Sequence, residues 1–248
     1  MTSLAGREVV VGIPLYKESE ARIVNQHSHV EPRSRSKRIQ RVMNVTIASV
    51  AIILVSPLII VFAVLVRLTS PGPIFYTQAR VGIDRRRGGR AGTSYDRRTR
   101  DIGGHPFMIF KFRTMCVDAE RPNGAVWATK ADARVTPVGR FMRKYRVDEL
   151  PQLFNVIRGD MNIVGPRPER PSIFSRLCDD IEEYPLRQRA KPGITGWAQV
   201  NHNYDTCVED VRTKVRYDLE YLQRQSVAED LVIMARTLPV MIFNRGGW

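Results

Sequence analysis

Cysteine is scarce in this chain of 248 residues: Cys116, Cys178 and Cys207 are odd in number, far apart and without a CxxC pair. That excludes a disulfide framework or a zinc cluster as the organising principle and fits a reducing compartment. Acidic residues are also few. Asp and Glu number 25 against 39 Lys and Arg, leaving +14 at pH 7 and a pI of 10.3. The partners expected are therefore anions: nucleic acid, acidic lipid or a phosphorylated molecule. The sequence has no GxxxxGK followed by Ser or Thr, and no GxGxxG, HExxH or GxSxG. The common nucleotide-fold, zinc-protease and serine-hydrolase readings fall away with them. Of four histidines, His27 and His29 form an HxH pair with no cysteine or carboxylate pattern nearby, and no metal site is read there.

What is present is a long apolar run. The mean hydropathy of −0.25 conceals Val42–Val66, uncharged throughout, which as continuous helix would be roughly 37 Å long at about 1.5 Å per residue. That exceeds the ~30 Å hydrocarbon core of a bilayer. The run lies too far from the first residue for an ordinary signal peptide, lacks a small-residue cleavage site, and should remain in the mature protein. Pro57 interrupts it. The ring removes a hydrogen bond to Ile53 and favours a bend, while the Ser56 hydroxyl can return to the carbonyl of Ile52 or Ile53. Arg33, Arg35, Lys37, Arg38 and Arg41 precede the run, and Arg67 and Arg80 follow it. Positive charge on both flanks gives no clear orientation. Two readings stand side by side: a tilted span with a tolerated proline, or a helix that enters, bends at Ser56-Pro57 and leaves on the same face.

The remainder reads as α+β. Residues 1–37 form a basic tail, expected to be mobile, with one apolar patch at Val9–Leu15. Ser70–Pro73 is a turn, residues 74–81 a strand, and Phe107–Met115 a second strand that places Lys111 and Arg113 on one face. Between them an insertion at 82–105 carries Arg85, Arg86, Arg87, Arg90, Arg97, Arg98 and Arg100. It reads as a solvated loop whose natural ligand, if it has one, is acidic lipid. Val138, Phe141, Met142 and Tyr145 line one face of a basic amphipathic helix. Leu150, Leu153, Phe154 and Ile157 line another, stopped at Gly159. Asp148 can be its N-cap and Glu149 a carboxylate complementing its dipole, or the pair can be chemical, since adjacent carboxylates among so many cations suit a phosphate reaction. Val208, Val211, Val215, Leu219 and Leu222 form a further stripe. Leu231–Phe243, interrupted by Arg236 and Pro239, is too short to span and reads as interfacial or core-packed.

Five segments in order carry a resemblance: the Ser56-Pro57 run, SPGPIFYTQARVG at 70–82, KFRTM at 111–115, DARVTPVGRFMRKYRVDELPQLFNVIRGDMNIVGPRPE at 132–169, and KPGITGWAQVN at 191–201. Together they closely resemble the bacterial sugar transferases, the monotopic phosphoglycosyl transferases that begin glycan assembly on polyprenyl phosphate, over about residues 38–245. The resemblance implies a helix-rich α+β domain at 38–248 with a re-entrant membrane helix, amphipathic interfacial helices and a small β-hairpin. It implies transfer of a sugar 1-phosphate from a UDP-sugar to undecaprenyl phosphate, with release of UMP, on the cytoplasmic face of the bacterial inner membrane. Asp148 and Glu149 match the family's dyad, with Asp148 as nucleophile and both residues at a Mg²⁺ site. Lys111, Arg113, Arg143 and Arg167 match phosphate- and substrate-binding positions, and Asp218 in RYDLEYL a further functional carboxylate.

Anionic inner-membrane lipids are implied as partners, nucleic acid is not, and a homodimer is compatible. Two departures from the family pattern are the long Arg-rich insertion and His202-Asn203 in place of the usual Gly-Arg. With no added nucleotide-binding-like domain or multi-span region, the chain resembles the small form of the family. Two other functions compete: a membrane-tethered nucleic-acid binder and a non-enzymatic scaffold. Neither requires Asp148.

Overall fold

In the computed structural model, residues 30–84, 104–117, 119, 132–202 and 207–242 are described. Val9–Leu15, His27, His29, Asn203 and the Arg85–Arg100 cluster lie outside them. The described residues from Glu31 onward belong to one compact unit.

Helix α1, Lys37–Thr69, starts on a Ser36 cap and runs without interruption through Pro57. Among the described residues it is the one helix long and apolar enough to cross a membrane, by length and composition. The Ser56 hydroxyl donates to Ile53 O at 2.9 Å, partly replacing the backbone donor that the proline withholds. Only Asn44, Ala48, Phe62 and Val66 of α1 are buried; Ile53, Leu54 and Ile60 between them are exposed, and Ile59 packs against the core near the helix's end.

Both ends of α1 are fastened to the same unit. Near its start, Arg41 donates to the last carbonyls of a later helix, Val156 O at 2.6 Å and Ile157 O, and Ile163 N donates to Asn44 Oδ1 at 2.6 Å. Near its end, Phe62 and Val66 pack with Phe112, Met142 and Val147; removing such side chains from water is worth about 1.5–3 kcal/mol each. The described segment just before α1 is fastened as well. Arg33 N donates to Leu222 O, and Arg35 pairs with the buried Asp230 at 2.9 Å.

The expected hairpin is present. Strand β1, Phe75–Val81, pairs antiparallel with β2, Pro106–Phe112, with Tyr76 opposite Lys111 and Arg80 opposite Phe107. Helix α2, Pro137–Lys144, is capped by Thr136. One turn of 3₁₀ helix, Val147–Glu149, leads into α3, Gln152–Arg158. A two-stranded parallel sheet that the sequence reading did not contain joins β3, Asn162–Val164, to β4, Gly193–Thr195. Its closeness depends on glycine: a Cβ on Gly193 would lie 2.1 Å from Gly165 N, and one on Gly165 2.3 Å from Lys191 O. The two distant motifs containing GPRP and KPGITG are thereby brought into contact. Helix α4 (Pro171–Asp180), a 3₁₀ segment (Tyr184–Arg189), α5 (Trp197–Asn201), α6 (Val208–Arg224) and α7 (Val227–Ile242) complete the order. Val211, Val215, Leu219 and Leu222 are the buried stripe of α6, as their spacing predicts, while Val208 is exposed.

Candidate active site

Asp148 is not the cap of α3. The N-cap position belongs to Pro151 and carries no side-chain bond, because the helical path begins one turn earlier, in the 3₁₀ turn that holds both carboxylates. That turn is entered through Arg146 in the left-handed conformation, φ 57° and ψ 17°. A non-glycine residue in that region costs roughly 1–2 kcal/mol, so the surrounding packing imposes it. The turn follows α2, which approaches the end of the KFRTM segment closely: a Cβ on Gly139 would fall 2.1 Å from Thr114 O. This contact lets Arg143 Nε donate to Thr114 Oγ1 at 2.9 Å.

The two carboxylates have different surroundings. Glu149 accepts from Lys111 Nζ at 2.8 Å and from Arg167 at 2.5 and 3.3 Å. Asp148 is equally buried, 8% exposed, yet among the described residues no hydrogen bond or ion pair reaches its carboxylate. Burial raises the Glu149 pKa, but Arg167 and Lys111 outweigh it and hold Glu149 ionised, well below the usual carboxylate range. At Asp148, burial followed by the Glu149 charge pushes the pKa up, against Lys111, Arg143 and Arg146. Burial also lowers the Lys111 ammonium, with Glu149 opposing. Neighbouring carboxylates driven apart in this way are suited to different tasks.

The other expected residues separate into two groups. Lys111, Arg143 and Arg167 surround the dyad. Arg113 does not share the Lys111 direction, because β2 ends at Phe112 and the alternation ends with it; its guanidinium donates to Ser70 O and Pro71 O, both at 2.7 Å. It holds the turn that follows α1. Asp218 is paired with Arg187 at 2.6 Å, the two side chains 2% and 1% exposed. Arg187 also donates to Tyr184 OH at 2.7 Å and to Arg167 O at 3.1 Å. Asp218 thus reaches the dyad through Arg187 and the backbone of Arg167.

Sequence reasoning missed Arg80 and Arg187. Arg80 donates to Pro168 O and Glu169 Oε1, both at 3.1 Å, and Val81 N donates to Glu169 O at 2.9 Å, so β1 grips the loop of Arg167. Strand alternation puts Tyr76, Gln78 and Arg80 on one face of β1, a signal that could have found Arg80. Arg187 lies in a segment without apolar periodicity, and no local signal marks it.

Among the described residues no three His, Cys, Asp or Glu side chains gather into a ready cage for a metal. The donor set does fit Mg²⁺, which commonly takes one or two carboxylates and completes its shell with water and phosphate oxygens. Asp148 is the carboxylate open to such an ion; Glu149 is already engaged by two cations.

The bacterial sugar transferase family matches residues 35–244. Among curated relatives, UDP-N-acetylgalactosamine-undecaprenyl-phosphate N-acetylgalactosaminephosphotransferase of Aeromonas hydrophila is 38% identical over 222 residues, covering 90% of this chain and 48% of that protein. The UDP-glucose:undecaprenyl-phosphate glucose-1-phosphate transferase of Escherichia coli is 37% identical over 215 residues, covering 86% and 42%. The protein of the same description from Caulobacter vibrioides is 38% identical over 213 residues, covering 85% and 72%. The chain thus spans about half the length, or less, of the first two. A match that extends from the start of α1 to beyond α7 includes every residue of the site described above, and on that ground the chain belongs to the bacterial sugar transferase family.

Proposed function

We propose that the protein transfers a sugar 1-phosphate from a UDP-sugar to undecaprenyl phosphate, releasing UMP, as the first membrane step of a bacterial polysaccharide. The observation that carries this reading is an Asp148 carboxylate that no bond reaches among the described residues, beside a Glu149 that holds two cations. The names of the relatives supply the donor and acceptor classes.

In this mechanism an Asp148 oxygen attacks the phosphorus next to the sugar, and the bond to the UMP oxygen breaks. The sugar phosphate is left on Asp148 as an acyl phosphate. An oxygen of undecaprenyl phosphate then attacks the same phosphorus, giving a lipid diphosphate sugar and returning the carboxylate. Covalent transfer lets a water-soluble donor and a lipid acceptor use one site in turn. Carboxylate attack on a diphosphate meets like-charge repulsion, and Lys111, Arg143 and Arg167 offset it by neutralising nonbridging oxygens. Mg²⁺, held by Asp148 and by Glu149 where its cations give way, would supply further charge neutralisation at the phosphates.

The same reading makes α1 re-entrant and the site cytoplasmic. Its support is that both ends of α1 are fastened to one unit, while Ile53 and Leu54, beside the Ser56-Pro57 pair, are exposed. Cysteine labels at Glu31 and Arg67 should react from the cytoplasmic side alone; labelling of either from the periplasm refutes the topology.

The reaction is tested with protein in nanodiscs, Mg²⁺, undecaprenyl phosphate and a panel of UDP-sugars. UMP release is expected with at least one donor, loss of it in Asp148→Asn, and a phosphosugar adduct on Asp148 in trapped enzyme. Undiminished UMP release by Asp148→Asn overturns the assignment.

A further inference from the structure

The two cations that Glu149 holds are ones the proposed reaction needs at the donor's diphosphate. Lys111 and Arg167 share Glu149 Oε1. If phosphate oxygens draw them away, the Glu149 carboxylate, its side chain only 10% exposed, loses both of its protein donors, and a Mg²⁺ ion taken by one of its oxygens would leave the other without a hydrogen bond. A buried charge in that position is strongly disfavoured.

One polar group beside it is idle. Gln152 is 2% exposed, and its amide nitrogen is buried without a hydrogen-bond partner. A buried donor left unpaired is destabilising, and native proteins seldom keep one without use. Gln152 follows Glu149 by three residues through helical backbone at Leu150 and Pro151, which puts both side chains on one face with Cβ atoms about 5–6 Å apart. Asn155, three residues later, shows where that face points. Its side chain accepts from Phe110 N at 3.0 Å and donates to Met108 O at 2.7 Å, both on β2. Glu149, at the other end of the stripe, bonds Lys111 on the same strand. Gln152 lies between them, on the side of the helix turned to the strand that carries Lys111.

We propose that Gln152 is a positioning residue whose amide takes over the Glu149 carboxylate as Lys111 and Arg167 turn to the donor's diphosphate. The proposal rests on the transferase reading of the site. It assigns Gln152 to donor binding, with no part in acceptor binding. In the ligand-free protein the amide waits unpaired because two stronger, charged donors occupy Glu149.

The test compares the full-length wild type with Gln152→Met, which keeps the length and removes the donor, and Gln152→Glu, which keeps the shape and replaces the donor with an acceptor. In Gln152→Met the melting temperature should not fall, since an unpaired donor has been removed. The donor KM and the Kd of UDP should rise about 10-fold, the worth of one hydrogen bond to a charged group, with kcat within about 3-fold. The KM of undecaprenyl phosphate should not move. Gln152→Glu should raise the donor KM further, and it carries the test if the Met variant folds poorly. Unchanged donor KM and UDP binding overturn the proposal. So does a lowered melting temperature with equal loss of kcat in both variants, which marks a packing role. Wild type that neither binds UDP nor releases UMP refutes the transferase reading itself, a different and separately visible result.

Discussion

Replacing Asp218 by leucine should act on the fold before it acts on any substrate. The Arg187–Asp218 pair, 2.6 Å apart with side chains 1% and 2% exposed, is the driest ion pair among the described residues. Without Asp218, the Arg187 guanidinium keeps Tyr184 OH and Arg167 O but loses its counter-charge. Breaking a buried pair from one side costs ~3–5 kcal/mol. At about 2–4 °C per kcal/mol for a domain of this size, the melting temperature should fall by ~6–20 °C. Activity should fall with it, because Arg187 also holds the carbonyl of Arg167, whose side chain binds Glu149. Removing both charges, Arg187→Met with Asp218→Leu, should recover most of the lost stability, since no charge is then left buried. The assay is a thermal scan in nanodiscs alongside UMP release at a temperature where every variant is folded. If Asp218→Leu melts with the wild type yet loses activity, the strut argument is refuted and Asp218 returns to a substrate contact.

The dyad should show opposite signs. Burial and the Glu149 charge raise the Asp148 pKa, so its stabilising contribution is full below about pH 4 and is lost as pH rises through the folded value. Asp148→Asn should therefore melt above the wild type at pH 7 while inactive. Despite burial, Arg167 and Lys111 depress Glu149, so its contribution is present above about pH 4.3 and lost as pH falls through the lower folded value. Glu149→Gln should melt below the wild type, and shifts of the same sign in both variants refute the assignment. At Arg146, φ 57° predicts that Arg146→Gly relieves the backbone, while Arg146→Val, β-branched in a left-handed position, loses about 1–2 kcal/mol or more. Denaturant midpoints that rank Val at or above Gly contradict the strain.

Where a signal lay within a few residues, it was legible. The i, i+3, i+4 stripe of Val138, Phe141 and Met142 predicted α2, and the stop at Gly159 predicted the end of α3, where φ of 95° makes the glycine an effective cap. Alternation predicted the hairpin but failed one residue past its end, at Arg113, because a side chain's direction follows the strand only while the strand lasts. The Asp148 cap reading failed for a related reason: pattern fixed the helix, but the 3₁₀ turn moved its start away from the carboxylate.

The sequence by itself determined that a charge-free run long enough for a bilayer precedes a basic α+β domain, and that two adjacent carboxylates stand among arginines. Those features depend on residue type and short-range periodicity. Only the tertiary structure decided that Lys111, from 38 positions upstream, and Arg167, from 18 downstream, meet on Glu149, while among the described residues no bond reaches Asp148. It also decided that Arg187 stands between Asp218 and the dyad. Glycine-to-glycine contact between β3 and β4, the hairpin's grip on the Arg167 loop and the two anchored ends of α1 bring these groups together, and contacts across such separations leave no period in the chain.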